Sequence, residues 1–211
     1  MKNKMKIYDI SMEIKRDIAV WKDKESKKPR FMITAEFVKD RMNESRIDMD
    51  LHTGTHADAY FHMIDSGKRI GEISLDKFIG NCIVLDFTRV NDKITNKELE
   101  KMGNKIKKND IVLLKTLKKP MKKFDFNFAY LGKTGAKFLA DKGIKMVGID
   151  ALGIERGQSG HDTHKILFEK DIPVVEGLEL SKINSGRYFF IGLPLKIKEG
   201  DASPIRAVLV K

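Results

Sequence analysis

The sequence has a single cysteine, Cys82, in 211 residues. No intramolecular disulfide can form, which excludes a disulfide-stapled secreted scaffold. Cys82 lies in the apolar run Asn81-Cys82-Ile83-Val84-Leu85 with no obvious partner base. It reads as a small buried residue rather than a nucleophile. No apolar stretch is long enough to span a bilayer. The basic start, with Lys2, Lys4 and Lys6, runs into Asp9, Glu13, Lys15 and Arg16, so no signal-peptide core is read there. The expected compartment is a reducing cytoplasm, with no membrane partner.

Acidic residues are in the minority. Lys and Arg number 41 against 30 Asp and Glu, a net charge of +11. Such an excess raises nucleic acid as a partner. The lysines are scattered along the chain, however, and the one dense cluster is Lys118, Lys119, Lys122 and Lys123. It lacks the arginines and interleaved aromatics of a single-strand binder, so no nucleic-acid partner is expected. A hydrophobic content of 41% suffices for a core, and apolar runs recur along the whole length, which excludes a disordered chain.

Strands are predicted at 6–14, 31–38, 45–51, 82–87, 110–115, 145–150, 172–175, 188–193 and 202–210. Residues 45–51 alternate, with Ile47, Met49 and Leu51 on one face. That pattern predicts a half-buried strand running directly into His52. Helices are predicted at 95–102, 132–142 and 162–170. Thr95 and Glu98 match a capping box, Gly143 closes the second helix, and Asp162 or Thr163 is the expected cap of the third. Strands and helices alternate in the second half but not in the first. The fold class is therefore α/β, a mixed sheet with an antiparallel-rich N-terminal part. With no repeat and no linker, residues 1–211 read as one domain.

Histidine is also scarce, and its placement is uneven. Three of the five histidines fall in the eleven residues His52-Thr53-Gly54-Thr55-His56-Ala57-Asp58-Ala59-Tyr60-Phe61-His62. Histidine and aspartate are common ligands of hydrolytic metal ions, and histidine is the commonest general base near neutral pH. A straight strand would put positions 52, 56, 58 and 62 on one face but spread them over roughly 33 Å. A helix would carry position 58 roughly 240° around from 52. A convergent site needs a bend, and Gly54 supplies the backbone freedom for it. The remaining histidines, His161 and His164, start the predicted third helix three residues apart. Glu176 follows the apolar strand Ile172-Pro173-Val174-Val175. A carboxylate at a strand end in an α/β protein is well placed for a site.

These residues resemble the cyclase-like metal-dependent hydrolases, a family that includes bacterial kynurenine formamidase. Its hallmark H-x-G-T-H-x-D-A-P-x-H stands here as His52-Thr-Gly54-Thr55-His56-Ala-Asp58-Ala59-Tyr60-Phe-His62. The likeness extends to Tyr8-Asp9-Ile10-Ser11, Val147-Gly148-Ile149-Asp150, Val175-Glu176-Gly177-Leu178, and the ending Leu193-Pro194-Leu195 with Asp201-Ala202-Ser203-Pro204-Ile205-Arg206-Ala207. The resemblance implies a single domain of the swivelling β/β/α type and a homo-oligomer, dimer or tetramer. It also implies two divalent ions, with zinc first and manganese as the alternative. His52, His56 and Asp58 would hold the first ion, and Asp58, His164 and Glu176 the second. His62 would be the general acid/base. His164 stands twelve residues before Glu176, a spacing similar to the family's, and His161 does not share it.

Tyr60 replaces the family proline and is read as a candidate substrate contact. Trp21, in a polar N-terminal loop, is either an aromatic wall for an aryl substrate or a packing residue. The implied activity is hydrolysis of a small-molecule aryl formamide, with N-formylkynurenine of tryptophan catabolism as the leading substrate. A cyclic-amide hydrolase of the isatin type is the second reading. A non-catalytic metal- or ligand-binding protein is the third; it would need the ligands but not His62.

Overall fold

Residues 82–85, 111–114 and 146–149 are buried. Such continuous apolar runs form strands covered on both faces, the signature of a parallel sheet centre. In the computed structural model, which describes residues 5–211, the chain runs through β1 (Ile7–Asp9), β2 (Arg30–Ala35), α1 (Phe37–Asp40), β3 (Glu44–Asp48), β4 (His56–Asp58) and β5 (Ile79–Asp86). It continues through β6 (Lys93–Ile94), α2 (Asn96–Glu100), β7 (Ile111–Lys115), β8 (Tyr130–Leu131), α3 (Lys133–Asp141) and β9 (Met146–Ile149). The last elements are α4 (Asp162–Phe168), β10 (Val174–Glu176), β11 (Gly186–Ile191), β12 (Ala202–Pro204) and β13 (Val208–Val210). Lys2 and Lys4 lie outside the described residues. Among those residues no helix is long and apolar enough to cross a membrane.

Nine strands make one mixed sheet in the order β1-β13-β11-β5-β7-β9-β10-β4-β12. The centre, β5-β7-β9-β10, is parallel. Both flanks are antiparallel: β11, β13 and β1 on one side, β4 and β12 on the other. The α/β class with antiparallel N-terminal strands is thus the observed one. Thr95 and Glu98 form the expected capping box at α2. The cap of α4 is His161 in the left-handed conformation, not Asp162 or Thr163.

Two expectations fail at the N-terminal side. The strand predicted over 31–38 ends at Ala35, and Phe37–Asp40 forms a single helical turn. The strand predicted over 45–51 as half-buried is β3, which among the described residues pairs only with β2 and is exposed at every position. Its alternation therefore marks one face of a projecting ribbon rather than contact with the core. Turns separate β3 from His52, so β3 does not brace the histidine stretch.

Candidate metal centre

Side chains fix the loop before β4. The His52 backbone N–H donates to Asp50 Oδ1 at 2.9 Å, and Asp50 Oδ2 pairs with Lys27 Nζ at 2.8 Å. The Thr53 hydroxyl donates to the Lys27 carbonyl at 2.7 Å. The Thr55 hydroxyl donates to the Gly177 carbonyl and accepts the Met12 N–H, joining the two site loops to the N-terminal segment.

Gly54 turns the chain as expected, at φ +70°. The turn aims its carbonyl at His56 Nδ1, 2.9 Å away, which leaves Nε2 free to face Asp58. Gly177, at φ +67°, packs on this turn, and a Cβ there would lie 2.4 Å from the Gly54 carbonyl oxygen. Backbone cannot yield as a side-chain tip can. Gly177→Ala is therefore expected to cost more than about 2 kcal/mol, read as a lower denaturant midpoint. An unchanged midpoint would contradict this packing.

Only His56 and Asp58 share a strand. The β10–β4 register sets Glu176 opposite His56 and Val174 opposite Asp58, so the sheet itself brings Glu176 into the hallmark stretch. Helix α4 carries His164 to the same place. His164 Nε2 lies 3.5 Å from Asp58 Oδ2 and 3.5 Å from Glu176 Oε1. His56 Nε2 lies 3.4 Å from Asp58 Oδ1 and 3.6 Å from Glu176 Oε2. His52 Nδ1 lies 2.9 Å from Asp58 Oδ1.

The separations of 3.4–3.6 Å are wide for hydrogen bonds. They are also the spacing of two atoms that share an ion: tetrahedral zinc ligands at about 2.1 Å lie about 3.4 Å from each other. His56 Nε2, both Asp58 carboxylate oxygens and His164 Nε2 are buried with no hydrogen-bond partner among the described residues. Orphaned buried polar atoms of this kind are costly unless something occupies the space between them. His52, His56 and Asp58 form one set of converging ligand atoms, and Asp58, His164 and Glu176 form another. The residues present therefore fit divalent ions.

Burial opposes ionisation of Asp58, but the imidazoles of His164, His52 and His56 around it hold its carboxyl well below the usual range. Burial also opposes charge on His52, yet Asp201 and Asp58 push it up to about 10. Burial pushes His62 below the ordinary histidine value.

His52, His56, His164 and Glu176 line a cavity of about 300 Å³, walled by Trp21, Lys22, Met63, Leu152 and Gly153 among others, within the range of small-ligand sites; Asp58 lies buried behind them. His62 also lines the cavity, its ring centroid 4.1 Å from that of His52. Trp21 packs edge-on against Phe124, with centroids 4.7 Å apart, and also borders the cavity. Trp21 is thus a packing residue, as the second reading expected, that also borders the cavity. Tyr60 does not line the cavity. It is buried, with its ring 5.3 Å from Phe168, because the turn Tyr60–His62 directs it into the core while His62 faces the site. The expectation that Tyr60 contacts substrate is corrected accordingly.

Three residues that the sequence reading did not assign to the site also stand here. Glu155 Oε1 accepts both the Nδ1–H and the backbone N–H of His164, at 2.7 and 2.8 Å. His161 instead faces the other oxygen of Glu155, at 3.6 Å. Asp201 Oδ2 lies 3.0 Å from His52 Nε2. Lys22 lines the cavity beside Trp21 with its backbone in the left-handed region, φ 57°. Only Asp201 belonged to a stretch that sequence reading had singled out.

Known proteins share this architecture and much of this sequence. A kynurenine formamidase from Erythrobacter litoralis is 31% identical over 99% of this chain and 95% of its own. One from Delftia acidovorans is 34% identical over 80% of each chain. A solved structure described as a predicted metal-dependent hydrolase from Bacillus stearothermophilus is 42% identical, with a TM-score of 0.87 over 98% of both chains. Isatin hydrolase A from Labrenzia aggregata is 22% identical, with a TM-score of 0.85 over 98% of this chain and 93% of its own; that likeness is one of fold. The Cyclase family model matches residues 8–156, and with relatives that span nearly the whole chain, this protein belongs to the Cyclase family.

Proposed function

We propose that this protein is a metal-dependent amide hydrolase whose substrate is an aryl formamide, N-formylkynurenine. The observation that carries the reading is the convergence of unpartnered, buried ligand atoms beside a cavity that His62 also faces. His52, His56 and Asp58 would hold one ion, and Asp58, His164 and Glu176 a second. The donors are nitrogen and oxygen, which suit zinc, with manganese as the alternative. When bound there, a divalent ion lowers the pKa of water from about 15.7 to about 7 and polarises the amide carbonyl. His62 takes the proton of the attacking water and delivers it to the leaving nitrogen. The C–N bond breaks, giving formate and an aryl amine. The cyclic-amide reading ranks second, because the relatives at 31–34% identity are named for the formamidase activity. Turnover of N-formylkynurenine by zinc-loaded protein, measured beside isatin, decides between them. Hydrolysis of isatin alone would reverse the order.

The cavity wall suits the rest of that substrate. Trp21 offers an aromatic face, and Lys22 has no ion-pair partner among the described residues, whereas Lys27 is paired with Asp50 at 2.8 Å. An ammonium group without an ion-pair partner, 5.8 Å from the Phe126 ring centroid, matches the carboxylate of N-formylkynurenine. Lys22→Met is expected to raise KM for N-formylkynurenine about fivefold more than for neutral formanilide, the equivalent of about 1 kcal/mol. Equal changes for both substrates would contradict the assignment.

A homo-oligomer, a dimer or tetramer, is also proposed. The β2–β3 ribbon and α1 leave large apolar side chains in solvent, with Ile33 73% and Val38 88% exposed. Apolar clusters of this kind mark association surfaces. Light scattering on purified protein tests the proposal, and a monomer at micromolar concentration would count against it.

A further inference from the structure

Each histidine among the proposed ligands has its second ring nitrogen occupied. His56 Nδ1 meets the Gly54 carbonyl, His164 Nδ1 meets Glu155, and His52 Nε2 meets Asp201. The first two acceptors serve one proposed ligand each. Asp201 also faces a residue outside the ligand sets, since its Oδ2 lies 3.7 Å from His62 Nδ1 as well as 3.0 Å from His52 Nε2. The sheet holds it there. Strand β12 pairs with β4 so that Ala202 faces Asp58, and the Ala59 N–H donates to the Asp201 carbonyl at 2.9 Å.

We infer that Asp201 is a positioning residue that sets the tautomers of His52 and His62 together. The inference rests on the proposed metal-dependent reading. A histidine binds an ion through its unprotonated nitrogen, and the partner of the other nitrogen decides which one that is. His52 turns Nδ1 toward Asp58 and Nε2 toward Asp201. A carboxylate at Nε2 keeps the proton there and leaves Nδ1 for the ion. The same oxygen favours Nδ1–H on His62, which leaves Nε2 as the atom that exchanges the proton. At 3.7 Å this second contact is longer than a hydrogen bond, so it orients His62 through charge, whereas His52 is held directly. One carboxylate thereby joins metal holding to proton transfer.

The test compares wild type, Asp201→Ala and Asp201→Asn, using zinc alone as the probe. Zinc affinity is measured by competition with a chromophoric chelator, and ring tautomers by long-range nitrogen–proton NMR. In Asp201→Ala, affinity at the site of His52, His56 and Asp58 should weaken about 10- to 100-fold. The site of His164 and Glu176 should be unchanged, which shows that the protein is folded. His62 should lose its preference for the Nδ1–H form. The Asn side chain can still accept from His52 Nε2–H, so Asp201→Asn should recover most of the zinc affinity. Wild-type affinity at both sites in Asp201→Ala, with the His62 tautomer unmoved, would overturn the inference. Neither readout uses a substrate, so failure to hydrolyse any formamide would overturn the proposed activity and leave this inference to be judged separately.

Discussion

His62→Ala should keep its zinc and lose about 10²- to 10⁴-fold in kcat, the usual contribution of a positioned acid/base group. His62 belongs to neither of the two ligand sets that converge on Asp58, so its removal takes no ligand from them. It lines the cavity with His52 beside it, where it can reach a substrate lying over the metal floor. Burial holds its imidazole below the ordinary value, so the neutral ring needed by a base is present at neutral pH. KM should move little, because the aryl wall at Trp21 and the rim at Lys22 are intact. Near-wild-type turnover in a variant with unchanged zinc content would remove His62 from the chemistry.

Asp58→Asn should abolish activity and weaken both zinc sites. Asp58 is the residue common to the two ligand sets, with Oδ1 toward His52 and His56 and Oδ2 toward His164. The amide keeps the shape but removes the charge and turns one acceptor into a donor. That donor would face a histidine nitrogen or an ion. Losing one partner of a buried charged cluster costs about 3–5 kcal/mol where the remaining charges stay uncompensated. Because folded protein binds zinc and unfolded protein binds it less well, the loss should also appear as a smaller rise in Tm on adding zinc. A variant that still binds two equivalents of zinc with wild-type affinity would show that Asp58 does not bridge them.

Much of this was readable in the sequence where the cause was local. The apolar runs of β5, β7 and β9 need no partner to be recognised, and the Thr95–Glu98 capping box is read from spacing alone. Gly54 had to turn because neither a strand nor a helix gathers the hallmark side chains, and its φ of +70° agrees. The misses are non-local. Residues 45–51 carry the alternation of a half-buried strand, but periodicity does not say which surface covers it, and among the described residues β3 pairs only with β2. The positions of Glu155 and Asp201 depend on α4 reaching the sheet end and on β12 lying beside β4. Asp201 is 149 residues from His52, so no spacing rule could have joined them. Tyr60 and His62 are two residues apart in a tight turn, and their opposite directions follow from that turn rather than from residue type.

Anomalous diffraction from crystals grown with zinc tests the central claim most directly. Two peaks are predicted, one among His52, His56 and Asp58 and the other among Asp58, His164 and Glu176. Zinc-saturated crystals with no peak against Asp58, or with a single peak held by His52, His62 and Asp201, would contradict the account.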